Sequence, residues 1–158
     1  MDVRGHFREG AEWFSRAAAA LSPDLAGEAA PGHLAASLTV ARAKFLLDLG
    51  QPELAMTLFE AGRAHFQQVP EPKQLARCLN GLGTAARAMG QYERALEYHQ
   101  AHLQLSREHG LAAEEATALT NLGVVLGGMN RPAEAIRVYR KSRLCAGSWV
   151  IRSGSPPA

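Results

Sequence analysis

A period of 40 residues constrains this chain more than anything else in it. Leu79-x-x-Leu82-Gly83 recurs as Leu119-x-x-Leu122-Gly123. Ala95-x-x-x-His99 recurs as Ala135-x-x-x-Tyr139, and Ala55-x-x-x-Phe59 stands one period earlier. Ala36, Ala76 and Ala116 keep the same step, as do Gly50 and Gly90, with Asn130 in the third place. A fixed period of this size means stacked supersecondary units, each hiding one face against the next. Stacks of that kind are usually binding surfaces rather than catalytic pockets.

The period also predicts the elements. The chain is rich in Ala, Leu, Glu, Arg and Gln, which favour helix. Helices are expected over 33–49, 52–67, 73–89, 91–108, 112–128 and 131–144, with one more over 6–21. Gly50, Gly90 and Gly110 end helices, and Asn130 replaces a glycine because asparagine tolerates the left-handed conformation. Pro52 and Pro132 fall near helix starts, where a missing N–H costs nothing. Within each pair the links are so short that the two helices must lie antiparallel. The expected fold is all-α, about seven helices stacked as a solenoid. It comprises residues 1–144: a half-unit at 5–21 and units at 33–67, 73–108 and 112–144. Residues 145–158 lack a helical period, and their Gly, Ser and Pro ending reads as an irregular, disordered tail. No capping helix is visible, which suggests a fragment of a longer array. The rival expectation is that Trp149, Val150 and Ile151 fold back as a cap.

Charge and composition exclude several function classes. A formal charge of +2, without a basic cluster interleaved with aromatics, does not suit a nucleic-acid surface. No apolar stretch approaches the roughly 20 residues of a membrane span. The first residues carry Asp2, Arg4, Arg8, Glu9, Glu12 and Arg16, and the apolar run 17–21 is too short for a secretion signal. A cytoplasmic location is expected, with Cys78 and Cys145 as reduced thiols.

The repeat resembles the tetratricopeptide repeat. Leu79, Leu82, Gly83 and Ala86 with Ala95 and His99 fill one unit of its pattern. Leu119, Leu122, Gly123 and Leu126 with Ala135 and Tyr139 fill the next. Thr39, Arg42, Ala43 and Leu46 with Ala55 and Phe59 make a degenerate earlier one. The resemblance covers about residues 5–142 and implies a right-handed α-solenoid. It also implies jobs for particular residues. Gly83 and Gly123, with Ala55, Ala95 and Ala135, let paired helices approach, while Phe59 and Tyr139 fill the space between units. The 40-residue unit departs from the usual 34 and lacks its closing proline. In this it is similar to the repeat regions of bacterial multidomain regulators. That likeness implies a second reading, a sensor fragment of a STAND-type ATPase or LuxR-type transcriptional regulator acting in signal transduction. The first reading is a non-catalytic scaffold that binds a protein or peptide partner.

In this family the first helices of successive pairs line a concave groove. Carried over by register, the groove shows Ser37, Val40 and Lys44, then Arg77, Asn80, Thr84 and Arg87, then Thr117, Thr120, Asn121 and Val124. The set suits an extended peptide, with Asn and Thr holding its backbone and Lys44, Arg77 and Arg87 available to a carboxylate. Uncapped terminal helices, with Phe7, Trp13 and Phe14 at one end, would also favour self-association.

Other chemistry is weakly signalled. His99 and His102 are neighbours on one helix, but a third metal ligand is missing and His99 occupies the aromatic core position of the repeat. Cys78 has no nearby base. Gly127-Gly128 follows a helix and has no Lys-Ser/Thr, so it is not a phosphate loop. No nucleophile, base and orienter occur together. No enzymatic activity, cofactor or metal is expected.

Overall fold

The computed structural model describes residues 12, 13, 16 and 31–153, with side-chain surroundings for those of them up to 144 other than residue 31. Among the described residues there are six helices. They are α1 (Pro31–Asp48), α2 (Pro52–Phe66), α3 (Pro72–Ala88), α4 (Tyr92–Glu108), α5 (Ala112–Gly128) and α6 (Pro132–Ser153). Glu12, Trp13 and Arg16 are helical, and the rest of the expected helix over 6–21 lies outside the described residues.

The helix ends follow one device repeated four times. Gly50, Gly90 and Gly110 have φ of 75°, 74° and 65°, and Asn130 has φ of 57°. Each left-handed residue turns the chain so that the next N–H reaches back over the finished helix. Gln51 N–H donates to Leu46 O at 2.9 Å, Gln91 to Ala86 at 2.9 Å, Leu111 to Ser106 at 2.8 Å and Arg131 to Leu126 at 2.9 Å. These bonds satisfy carbonyls the helix leaves open. The same tight turn launches the next helix at once. No side chain caps α2, α3, α4 or α5 at its N-terminus; Pro52 and Pro72 remove an unsatisfied donor from the first turn of α2 and α3.

Each helix packs on its neighbours in chain order, and the first helices also touch one another, α1 on α3 and α3 on α5. The second helices α2, α4 and α6 approach their counterparts far less. A row whose first helices are close and whose second helices are splayed must curve. Its inner side is the layer α1, α3, α5.

Small residues set the spacing within and between pairs. A Cβ on Gly83 would meet the His99 ring at 2.6 Å, and one on Gly123 would meet Tyr139 at 2.6 Å. Ala55 and Ala95 are fully buried and Ala135 nearly so. Phe59 crosses from α2 to lie where a Cβ on Gly81 of α3 would stand. It belongs to an apolar cluster with Val40, Ala43, Leu46, Ala55, Phe66, Cys78 and Leu82. A second, smaller cluster joins Ala86 and Ala95 to Val125 of α5.

Two expectations are corrected. Helix α6 runs to Ser153, so residues 145–153 are helical rather than an irregular tail; 154–158 lie outside the described residues. No proline stands between Pro132 and Ser153, and Gly147 alone costs only about 1 kcal/mol in a helix. The turn that ends α4 needs a glycine at 110, and the position one period on is Val150. The helix therefore has no stop signal there. Val40, placed in the groove by register, is instead core, with its methyl where a Gly62 Cβ would stand.

Candidate binding surface

The inner layer is built from the exposed edges of α1, α3 and α5. Its central feature joins two units. Asn121 Nδ2 on α5 donates to Asn80 Oδ1 on α3 at 2.7 Å. Both residues are half-buried. The side-chain amides are thus fixed against one another, and each retains a further donor or acceptor. One turn further along α3, Thr84 is half-buried and its hydroxyl donates to the Asn80 carbonyl at 2.9 Å. Thr117 is exposed and does the same to Ala113 at 2.9 Å. A threonine bonded back to its own helix still has lone pairs free to accept.

The cations differ in availability. Lys44 is exposed and pairs with Asp48 of its own helix at 3.3 Å. Arg77 and Arg87 are exposed, and among the described residues neither pairs with a carboxylate. Arg77 Nη1 reaches only Gln74 Oε1 at 3.4 Å. Val124, at the end of the layer, is exposed. Ser37 is half-buried on α1.

Thr120 goes elsewhere. It is exposed at its edge, but its hydroxyl lies 3.0 Å from Ser142 Oγ on α6 and donates to Ala116 O at 2.9 Å. It belongs to the seam within the last pair. Register places it beside Asn80, yet Asn80 meets a following first helix and Thr120 meets none among the described residues. Strict register therefore gathers residues of equal phase and misses which edge faces a neighbour.

Outside the inner layer, α4 and its joint with α5 hold two perturbed histidines. His99 and His102 are buried on α4. Burial pushes the His99 imidazole down to about 4, with His102 and Arg87 adding to the effect. Burial also lowers His102, and the Glu114 carboxylate of α5 pulls the other way. His102 Nε2 stands 3.3 Å from Glu114 Oε2, outside good hydrogen-bond alignment. Beside it Arg107 Nε meets Glu115 Oε1 at 2.7 Å. Among the described residues no group of three His, Cys, Asp or Glu side chains could hold a metal ion. Cys78 is buried in the α2–α3 joint, and burial pushes its thiol up to about 12. It is a poor nucleophile at neutral pH. Among the described residues, no helix is long and apolar enough to cross a membrane.

Sequence reasoning did not find the Asn80–Asn121 bridge, the cross-joint pairs His102–Glu114 and Arg107–Glu115, or the 2.9 Å bond from Tyr98 Oη to Glu60 between α4 and α2. The last spans 38 residues, close to one period, and that near-coincidence was its only signal.

Comparison with known proteins agrees with the helix pairs. The sequence profile of the tetratricopeptide repeat matches residues 34–108 and again residues 89–143. The tetratricopeptide domain of Arabidopsis FLU is similar in structure, with a TM-score of 0.65 and 20% identity, over 72% of this chain and 95% of that one. BtubC from P. vanneervenii gives a TM-score of 0.75 at 18% identity, over 98% of this chain. The chain spans 61% of the length of BtubC. At such identities the likeness concerns the fold. No curated protein matches.

Proposed function

Since the chain belongs to the tetratricopeptide repeat family, we propose that it binds an extended segment of a partner protein along the inner face of α1, α3 and α5. Repeats of this family act as scaffolds for protein–protein interaction. The observation that carries the finer reading is the Asn80–Asn121 bridge. It lays two side-chain amides across the boundary between units, half-buried and rigid. An extended peptide needs donors and acceptors at intervals along its backbone, and fixed ones reduce the ordering cost of binding. Thr84 and Thr117 flank the bridge with further acceptors. Arg77 and Arg87, unpaired with carboxylates among the described residues, supply positive charge at the edges of α3. Arginine takes a carboxylate through two parallel hydrogen bonds, so acidic side chains or a free C-terminus in the ligand are favoured.

Selection of a displayed random-peptide library against the full chain tests this reading. Enriched peptides should be extended and acidic. They should bind severalfold more weakly to Asn121→Ala, which removes a neutral hydrogen-bonding group, and at least about tenfold more weakly to Arg77→Ala/Arg87→Ala, which removes charge-assisted contacts. Peptides that bind those variants undiminished would place the ligand on another face.

A further inference from the structure

Asn80 and Asn121 hold α3 against α5 along one edge of a triangle whose third member is α4. Each of the two first helices packs closely on α4 and only lightly on the other. The spacing across the bridge therefore depends on α4 keeping its hold on both. Ala86 of α3, Ala95 of α4 and Val125 of α5 meet at the centre, and such small side chains bury little apolar area. One period earlier, in the triangle of α1, α2 and α3, the matching places are apolar. Val40 and Gly81 stand where Asn80 and Asn121 do, and Phe59 stands where His99 does.

The hold of α4 is polar at two points. His99 lies over Gly83 of α3, and His102 faces Glu114 of α5 at 3.3 Å. Both rings are buried, and among the described residues His99 Nδ1 and both nitrogens of His102 have no hydrogen-bond partner. Ser106 Oγ donates its proton to the His102 carbonyl at 2.7 Å. The charged groups around the pair are Arg87 of α3, Arg107 of α4, and Glu114 and Glu115 of α5. Glu115 is paired with Arg107 at 2.7 Å, and Glu60 of α2 meets α4 at Tyr98. A proton on His102 has Glu114 beside it. A proton on His99 meets Arg87 and His102 and, among the described residues, no carboxylate. Such a charge reaches water only if the packing opens.

We infer that α4 is a proton-operated latch on the inner face: acid charges His99 and His102, frees α5 from α3 and parts Asn80 from Asn121. The effect on a ligand rests on the inner-face reading given above; the movement of the helices does not. The α1–α3 end stays stacked, because its core of Val40, Phe59, Cys78 and Leu82 has nothing that takes up a proton. A ring that is protonated near 6.5 when open and near 4 when closed raises the open share roughly twentyfold between pH 7 and pH 5.

Two measurements on the full chain test the latch. Spin labels at Lys73→Cys and Ala113→Cys, exposed sites one period apart on α3 and α5, report their separation by double electron–electron resonance. Labels at Leu34→Cys and Lys73→Cys report α1 against α3. Cys145→Ser and the burial of Cys78 confine labelling to the chosen sites. From pH 7 to pH 5 the α3–α5 distances should gain a longer component while the α1–α3 distances stay as they were. His99→Phe should suppress the change, and the two label pairs decide even where that variant does not fold. In fluorescence anisotropy, a labelled peptide enriched on the full chain at pH 7 should bind several times more weakly at pH 5. His99→Phe should lose most of that weakening, a comparison that cancels titration of the peptide itself. The latch is overturned by α3–α5 distances that stay fixed, that lengthen together with α1–α3, or that lengthen equally in His99→Phe. Peptide binding whose pH response survives His99→Phe overturns it too. If no peptide is enriched at pH 7, the inner-face reading fails by itself and the distances still decide the latch.

Discussion

The α2–α3 and α4–α5 joints occupy the same place in successive repeats and are filled with different chemistry. The first is apolar. Phe59 lies against Gly81, and Cys78 sits against Gly62 with Val40. The second has His99 at the repeat position of Phe59, adds His102 and Ser106, and brings Glu114 of α5 against His102. All three polar α4 side chains are buried. The helices nonetheless turn at the same left-handed residues and stack in the same order. Backbone geometry in this chain is therefore set by the small residues and the turns, and the filling sets how each joint responds to solvent conditions. Both rings lie over a glycine of α3, Phe59 over Gly81 and His99 over Gly83, and only the second can ionise.

The largest effect should come from emptying the apolar joint. Phe59→Ala should cost about 3–5 kcal/mol, as for other buried phenylalanines, read from the midpoint of urea unfolding. A much smaller loss would show that the α2–α3 joint collapses around the gap and that Phe59 is not its keystone.

Next in size is the acid response of the polar joint. His99 has a folded value of about 4 against an ordinary 6.5. Below about 6.5 the unfolded chain takes up a proton that the folded chain refuses until pH is near 4. Stability contributed by the neutral, buried ring is thus full at pH 7, falls between roughly 6.5 and 4, and is flat below. The span corresponds to about 3 kcal/mol at one kilocalorie and a third per unit. His102, lowered by burial and flanked by Glu114, adds in the same direction. His99→Phe, which copies Phe59, should remove most of this slope in pH-dependent denaturation. An unchanged slope would assign it to other groups.

Smaller effects probe the shared frame. Gly90→Ala forces a Cβ into φ of 74° and should cost about 1 kcal/mol, whereas Asn130→Gly should change stability by a few tenths at most. Equal costs at both sites would mean that the turns are not equivalent. Smallest is Arg107→Ala, which removes the partly exposed pair with Glu115 and should cost about 0.5 kcal/mol, less in high salt.

Much of this was legible in the sequence, and the failures share a cause. Helix ends were readable because Gly50, Gly90 and Asn130 solve one local problem, a left-handed residue after the last turn. Gly83 and Gly123 were readable as close approaches because their aromatic partners recur with them. Thr120 and Val40 were misplaced because register fixes phase along a helix and not which side has a neighbour. The His102–Glu114 and Arg107–Glu115 pairs join helices across a turn at separations that do not repeat elsewhere, so no period reveals them. The continuation of α6 to Ser153 was missed because absence of amphipathic pattern was read as absence of helix. A helix needs no period to persist where nothing stops it.

The bridge between Asn80 and Asn121 ties α3 to α5 beside the polar joint. Native-state hydrogen exchange of the full chain, compared helix by helix at pH 7 and pH 5, tests this unequal stack most directly. Amides of α4 and α5 should lose protection first on acidification, while α1 and α2 keep theirs. Uniform loss along the array, or earlier loss in α1 and α2, would contradict this.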